Sequence, residues 1–372
     1  DYQINFNDNK SSLITYAAWQ NTDRTHYTGI IPDTEPEFQN HIENPPYGVS
    51  DTQTLQGGLQ FNYRVDHFLK GTNVFTVGSE YISDKVFDEI RAYNYEIDQH
   101  TKDWGSFLQS DWEILPSLNL LSGVRMDVHN LVDEVVFSPR LALLYKVKDN
   151  TQFRVSYGTG FRAPQAFDTD LHIAFAGGGV SRVIYDPNLK EERSKSWSAS
   201  VNYDKATEKF IAGFTLEGFY THLNDAFILE NSGEDEFGQI FEKQNGDGAT
   251  VQGITVELRA NYNKKVQLET GFTFQTSRFE TAVSYIDGVT PTRDFLSTPN
   301  EYGFANLTAS LSERFKLNLN YVFTGSMKIA HFAGAPNQQT DEFVNTKTFS
   351  EVNSKIAYTI PSKKYDMNFE IY

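Results

Sequence analysis

Apolar and polar residues alternate along most of this chain with a period of two, which is the spacing of a β-strand whose faces meet different surroundings. In one segment, Trp197, Ala199, Val201 and Tyr203 alternate with three serines and an asparagine. The same pattern recurs in five further segments: 152–157, 210–221, 255–262, 267–275 and 315–324. The alternation predicts a chain built mainly of antiparallel strands.

The strand segments have the length and number of a large membrane barrel. A strand that crosses a bilayer at a tilt needs about 9 to 11 residues, and we count about 15 or 16 candidates of this kind. Apolar runs such as 141–145 and 173–176 are far shorter than the roughly 20 residues of a spanning helix. The predicted fold class is therefore all-β, a large antiparallel transmembrane β-barrel.

The connections between strands come in two lengths that alternate along much of the chain. Short links lie at 115–117, 148–150, 263–265 and 360–364. Long links lie at 28–51, 165–190, 231–248, 282–299 and 326–346. Outer-membrane barrels have short periplasmic turns and longer extracellular loops. This asymmetry predicts the outer membrane of a Gram-negative bacterium.

Charged residues on the polar faces decide between a barrel and a soluble β-sandwich binding module. Aromatic residues near strand ends, such as Tyr157 and Tyr220, suit bilayer girdles and sandwich cores alike. Polar faces that carry charged residues such as Arg154, Glu257 and Arg259 suit a wet or plugged barrel interior better than the solvent-exposed face of a sandwich. The barrel is the favoured interpretation, and solubility without detergent would favour the sandwich.

Composition excludes several classes of function. The formal net charge of -17 argues against a nucleic-acid partner, which requires clustered Lys and Arg. The absence of cysteine excludes disulfides, thiolate metal sites and a cysteine nucleophile. Ser, His and Asp residues are scattered without a nucleophile motif, so we predict no enzyme. An outer-membrane hydrolase is the alternative, and hydrolysis of an acyl ester by the purified chain would favour it.

Four short motifs carry a resemblance to a known family. Residues 157–164, Tyr-Gly-Thr-Gly-Phe-Arg-Ala-Pro, are followed by 186–192, Asp-Pro-Asn-Leu-Lys-Glu-Glu. They are preceded by the segments 121–129 and 137–145. In this order the motifs resemble those of the TonB-dependent outer-membrane receptors. The loop 165–190 and the general character of the sequence are similar to members from Bacteroidetes-type bacteria. The resemblance covers most of the chain.

The resemblance implies an architecture larger than this sequence. Family members are barrels of about 22 strands with a plugged lumen. Residues 1–372 are then a partial barrel domain, with the plug upstream and the final strands downstream. The implied function is active transport of a scarce nutrient, an iron complex, energised by the TonB-ExbB-ExbD complex through the plug. Outer-membrane lipids and a surface lipoprotein are further expected partners. A passive porin is the alternative, and the residues before Asp1 would distinguish the two.

The motif residues themselves have structural explanations. In the first motif, which contains Phe161, Arg162, Ala163 and Pro164, the proline removes a ladder donor and ends strand pairing. The second motif contains Asp186, Pro187, Asn188 and Leu189. Its proline biases Asp186 toward an extended conformation. We therefore prefer structural roles to ligand contact for both prolines.

Two classes of transported ligand remain open. Haem receptors of the family place a histidine between the two motifs, and His172 occupies that interval. Neutral imidazole is a suitable ligand for haem iron, although the second motif here begins with Asp186 rather than Asn. A ferric siderophore would instead contact Arg162, Arg182 and Tyr185, which are candidates by position. We expect no permanently bound cofactor.

Overall fold

The structure is a computed structural model of the chain. It describes residues 1–27, 29, 31, 34–166, 182–235, 238–286, 288–331, 333, 339–360 and 367–371. Within these ranges the chain is almost entirely β-structure, with one α-helix, Glu37–Glu43, and one 3₁₀ turn, Arg91–Tyr93. No helix in this described part is long and apolar enough to cross a membrane.

One antiparallel sheet of 17 strands forms the body of the protein. One of them, β16 (Thr292–Asp294), is a short strand beside β15, which leaves sixteen that pair one after another in chain order. They are β1 (Tyr2–Phe6), β2 (Ser11–Tyr27), β3 (Tyr47–Val65), β4 (Thr72–Ile90), β5 (Tyr95–Leu115), β6 (Leu118–His129), β7 (Val136–Lys148), β8 (Thr151–Arg162), β10 (Glu192–Ala206), β11 (Phe210–Asn224), β14 (Gly248–Tyr262), β15 (Val266–Val283), β17 (Glu301–Ser310), β18 (Phe315–Thr324), β21 (Phe349–Ile360) and β22 (Met367–Ile371). This up-and-down order is that of a barrel wall, which confirms the predicted fold class and strand number.

The five predicted long links all lie at one end of the sheet, where β4–β5 and β6–β7 are nevertheless joined by the shorter links 91–94 and 130–135. Short links join the strands at the other end. Each of the five long links contains regular structure. The first contains the helix Glu37–Glu43, the second β9 (Arg182–Tyr185) and the fourth β16. The third contains β12 (Phe227–Asp235) and β13 (Gly238–Asn245), and the fifth contains β19 (Lys328–His331) and β20 (Glu342–Asn345). The strand β9 (Arg182–Tyr185) pairs in parallel with β13. Pairing satisfies the backbone groups of these links beyond the barrel wall.

Strand register places large apolar side chains on the outer face of the sheet. Residues directly opposite one another share a face, and Ala199, Gly218, Ile254 and Phe274 form one such row across four strands. The outer face is therefore apolar and exposed to the bilayer, as Trp197 illustrates with 53% of its surface accessible. The inner face is polar.

Hydroxyl pairs link neighbouring strands on the inner face. Ser156 and Ser198 lie 2.7 Å apart between their Oγ atoms, and Thr255 and Thr273 lie 2.9 Å apart between their Oγ1 atoms. Such groups suit a wet or filled lumen, because each polar atom has a partner or reaches solvent.

Tryptophans mark both edges of the membrane-crossing band on β5. Trp104 and Trp112 lie on the same outward face, about 26 Å apart along a fully extended strand. Trp104 Nε1 donates a hydrogen bond to Ser79 Oγ at 2.7 Å, and Trp112 Nε1 donates to the carbonyl of Lys70 at 2.8 Å. Rings with a polar contact at one end are typical of the interfacial girdles of outer-membrane barrels.

Two apolar clusters lie beyond the girdles at the long-link end. The first contains Ile90, Tyr95, Ile97 and Ala166, with Tyr185 packed against it. The second contains Ala226, Ile228, Ala249, Phe279 and Val283. These clusters hold the long links against the rim of the barrel, and they position the side chains described next.

Candidate functional site

A recess of about 350 Å³ opens on the inner face near the outer rim of the barrel. The wall strands β4, β5 and β6 form one side of it, and the end of β8 forms the other. Its charged and titratable lining residues are Asp84, Asp103, Arg125, Asp127, His129 and Arg162. Three of them follow from local sequence, because Arg125, Asp127 and His129 alternate along β6 with outward apolar residues.

Arg125 is the centre of an ionic network in this recess. Its Nε donates to Asp127 Oδ1 at 2.6 Å, and its Nη1 donates to Glu80 Oε2 at 3.4 Å. A third carboxylate, that of Asp103, lies 3.8 Å from Nη2. Asp127 retains only 2% of its side-chain exposure. Three carboxylates against one guanidinium leave surplus negative charge at this point of the lumen.

Neutral donors stabilise the part of the network on β4. Glu80 accepts a hydrogen bond from Gln56 Nε2 at 2.7 Å and another from the hydroxyl of Tyr16. These contacts satisfy a carboxylate that Arg125 alone approaches only loosely. The third carboxylate of the network, Asp103, is less well satisfied, since its buried Oδ1 has no hydrogen-bond partner among the described residues.

His129 closes the outer end of the recess as an uncharged ring. Its Nδ1 accepts a hydrogen bond from the backbone N–H of Leu131 at 3.1 Å, which requires an unprotonated nitrogen. Its edge also faces the Phe161 ring, with centroids 6.4 Å apart. Our sequence analysis missed this network. The detectable signal was the row of charged side chains at alternate positions of β6.

The first motif ends β8 and turns the chain away from the wall. Pro164 follows the strand, and Gln165 N–H donates to the carbonyl of Ala163 at 2.8 Å. Ala163 is buried, with 7% of its surface accessible. Ala166 N–H donates to Gln99 Oε1 at 2.7 Å, which attaches the turn to β5. This geometry is that of a strand terminus.

The second motif forms a compact turn before β10. Asp186 Oδ1 accepts hydrogen bonds from Asn188 N–H at 2.7 Å and Asn188 Nδ2 at 3.2 Å. Leu189 N–H donates to the Asp186 carbonyl at 3.0 Å, across Pro187. An aspartate oxygen thus caps the turn where the family pattern has asparagine, because only an acceptor is needed at this position.

Cationic and aromatic side chains meet where β8, β9, β12 and β13 converge. The Arg162 guanidinium lies 5.1 Å from the centroid of the Phe227 ring. Lys243 Nζ lies 5.7 Å from the centroids of both Phe227 and Tyr185, and the lysine is 4% exposed. Cations over aromatic faces are stabilised by the ring quadrupole. We call Arg162, Phe227, Lys243 and Tyr185 the rim cluster.

The residues predicted to bind ligand therefore have different surroundings. Arg162 and Tyr185 both belong to the rim cluster, and Arg162 keeps an exposed side that faces the recess. Arg182 lies apart from them, in an ion pair with Asp235 at the tip of the β12–β13 hairpin, and its side chain is 12% exposed. His172 lies outside the described residues. The described part of the chain contains no group of histidine and acidic side chains arranged to hold a metal ion.

The continuous antiparallel sheet, its aromatic girdles and its polar inner face define an outer-membrane β-barrel of a Gram-negative bacterium. The family described as "TonB dependent receptor-like, beta-barrel" matches residues 1–372. The chain belongs to this family of TonB-dependent receptors, which confirms the resemblance stated from the motifs.

Two solved siderophore receptors have the same fold. The siderophore receptor PirA from Acinetobacter baumannii has a TM-score of 0.65 at 16% identity, covering 94% of this chain and 54% of its own. A mutant ferric enterobactin receptor, PfeA from Pseudomonas aeruginosa, in complex with enterobactin has a TM-score of 0.66 at 14% identity, covering 94% and 52%. The chain thus spans about half the length of these structures. No curated protein matches it.

Proposed function

We propose that this barrel belongs to an active transporter that brings a ferric siderophore across the outer membrane. The observation that carries the proposal is the family match over the whole of residues 1–372. Energy would come from the TonB-ExbB-ExbD complex through a plug domain in the lumen, as in the family. The polar inner face suits an enclosed plug better than it suits a lipid or an apolar core.

Ligand contact would occur at the rim cluster. Siderophores present carboxylate or catecholate oxygens, which pair well with a guanidinium. Arg162 offers such a group beside the Phe227 ring, at the mouth of the recess. Deeper in the recess, the carboxylates of Glu80, Asp103 and Asp127 would repel an anion. We therefore assign the first contact to the rim and not to Arg125.

Haem is the alternative ligand, and it depends on His172. An imidazole on an outer link could ligate haem iron, with a second axial group from elsewhere in the receptor. Haem and a ferric siderophore require different protein ligands, so one set of uptake and binding measurements distinguishes the two. A surface lipoprotein that docks on the long links would serve either ligand.

The test uses the intact receptor in its own outer membrane, with radioactive iron supplied as ferric enterobactin, as a related tris-catecholate siderophore, or as haemin. Arg162→Ala should weaken siderophore uptake about tenfold in apparent affinity, because it removes hydrogen bonds to a charged ligand. Arg154→Ala is the matched control, since Arg154 lies on the same face of β8 deeper in the lumen. Loss of TonB should abolish uptake in every variant.

Three results would contradict the proposal. Uptake that persists without TonB would indicate a passive pore. Equal uptake by the Arg162→Ala and Arg154→Ala variants would show that Arg162 does not contact the ligand. A Soret band on adding haemin to the purified receptor, lost in His172→Ala, would replace the siderophore with haem.

A further inference from the structure

A groove of about 1000 Å³ runs over the outward face of the barrel, on the side that meets the bilayer. It crosses strands β8, β10, β11, β14 and β15. The outward-facing side chains that line it are those of Val155, Trp197, Ala199, Tyr220, Ile254 and Phe274. These six residues belong to the outward-facing set of their strands, as do three further lining side chains, those of Gln252, Val256 and Thr276. The lining also contains four residues of the inward-facing set, Ser198, Phe219, Gly253 and Gln275.

Small residues in register create the groove. Ala199 lies directly opposite Gly218, which in turn lies opposite Ile254. A Cβ atom added to Gly218 would meet no atom within 4 Å, so the space above it is open. In the next row toward the long links, the rings of Tyr157 and Trp197 lie 4.4 Å apart between centroids. Bulky rings beside two small residues leave a recess in an otherwise full surface.

A basic row lies immediately above the groove on the same outward face. Lys195 is opposite His222, which is opposite Thr250, which is opposite Arg278. This row follows the Trp197 row toward the long links, at the level of lipid headgroups. It is a local exception on a chain of net charge -17.

Two residues of the basic row, Arg278 and His222, lie near carboxylates, and Lys195 does not. Arg278 Nε lies 3.3 Å from Asp294 Oδ1, and the Arg278 side chain is still 66% exposed. His222 Nδ1 lies 3.7 Å from Glu280 Oε1. Across the described ranges, no carboxylate lies within ion-pair distance of Lys195 Nζ, which is exposed.

We propose that this groove and basic row form a binding site for an anionic outer-leaflet lipid. An acyl chain would lie over Ala199 and Gly218, against Trp197, and phosphate groups of the headgroup would lie on Lys195 and Arg278. The occupant is a lipid because the face is turned to the hydrocarbon of the bilayer, where acyl chains are the available apolar ligand. Phosphate is the headgroup chemistry because Lys and Arg pair with it through charge-assisted hydrogen bonds.

The test measures lipid retained by the intact receptor. Receptor is reconstituted in phosphatidylcholine vesicles that contain a multiply acylated, bisphosphorylated glucosamine disaccharide. Lipid bound after transfer to detergent is then counted by native mass spectrometry. Gly218→Leu fills the groove, and the open space at Gly218 allows this variant to fold. Its matched control is Gly57→Leu, an outward glycine on β3 whose added Cβ would meet only the Tyr16 carbonyl, at 3.6 Å.

The headgroup contact is tested in the same vesicles. Lys195→Gln should lower the affinity about fivefold, the usual effect of one cation near an anionic lipid surface. Lys85→Gln, on the outward face of β4, is its control. With the dephosphorylated glycolipid, Lys195→Gln and the unmodified receptor should bind equally.

The expected result is loss of bound glycolipid in Gly218→Leu, with retention in Gly57→Leu. Equal retention by Gly218→Leu and the unmodified receptor would overturn the site. Equal loss in both glycine variants would also overturn it, because it would show a general effect on the barrel surface. If Lys195→Gln weakened the phosphorylated and dephosphorylated lipids alike, the headgroup assignment would be wrong.

Discussion

Removal of the central cation of the lumenal network should destabilise the barrel strongly. Arg125→Met keeps the length of the side chain and removes its charge. Glu80, Asp103 and Asp127 would then face one another without a guanidinium between them. Asp127 is affected most, because it is buried and its 2.6 Å contact with Nε is the shortest of the three carboxylate contacts of Arg125.

The magnitude follows from burial. Removing one partner of a buried ion pair costs about 3 to 5 kcal/mol. The Arg125 side chain is 33% exposed, so water screens part of the interaction. We therefore expect a loss of about 3 kcal/mol in the free energy of unfolding, the lower end of that range.

The assay is urea unfolding of the intact receptor in detergent micelles, followed by tryptophan fluorescence at neutral pH. Arg154→Met is the control, because Arg154 has no hydrogen bond or ion pair to any residue that the structure describes. It should change the unfolding free energy by less than about 0.5 kcal/mol. Adding Asp127→Asn to Arg125→Met should restore part of the loss, since it removes the most buried unpaired charge.

A loss below about 1 kcal/mol for Arg125→Met would refute this reasoning, because it would mean that water or another cation solvates the carboxylates. A double variant that is less stable than Arg125→Met alone would refute it as well. In that case the hydrogen bonds of Asp127, and not its unpaired charge, would dominate.

Two further predictions concern the ends of the barrel. Phe279→Ala removes a ring from the second apolar cluster, where its centroid lies 4.3 Å from that of Phe295. Backbone hydrogen exchange in that cluster should accelerate by the equivalent of about 3 kcal/mol, and unchanged exchange would contradict the packing. At the short-turn end, hydrogen bonds from Lys10 and Arg64 lower the pKa of Asp66 to about 2. A lowered carboxyl pKa gives stability that is present above the ordinary value and lost as the pH falls toward 2. Replacing both cations with Ala should therefore lower the urea midpoint slightly at pH 7, and this difference should shrink as the pH falls through 2.

Much of the candidate site depends on contacts between distant strands. Arg162 was identified from its motif, but its position over Phe227 depends on β12, which lies in a segment that we expected to be loop. Arg182 was named beside Arg162 and Tyr185, whereas its ion pair with Asp235 draws it to the hairpin tip. Proximity in sequence does not indicate which face of a short strand meets which neighbour.

The groove illustrates the same limit. Nothing in the local sequence of Gly218 distinguishes it from Gly57, since both are glycines on the outward face of a strand. Only register places Gly218 beside Ala199 and brings Lys195, His222 and Arg278 into one row above it. A shift of one residue in any strand would have dispersed both features.

The sequence alone determined that this protein is an outer-membrane barrel of the TonB-dependent receptor family. Alternation of apolar and polar residues is a local property, and the bilayer imposes it on every spanning strand. The tertiary structure decided how side chains from separate strands combine: the three carboxylates around Arg125, the rim cluster and the outward groove. Those contacts depend on strand register and on the pairing of links far apart in the chain, which no local pattern encodes.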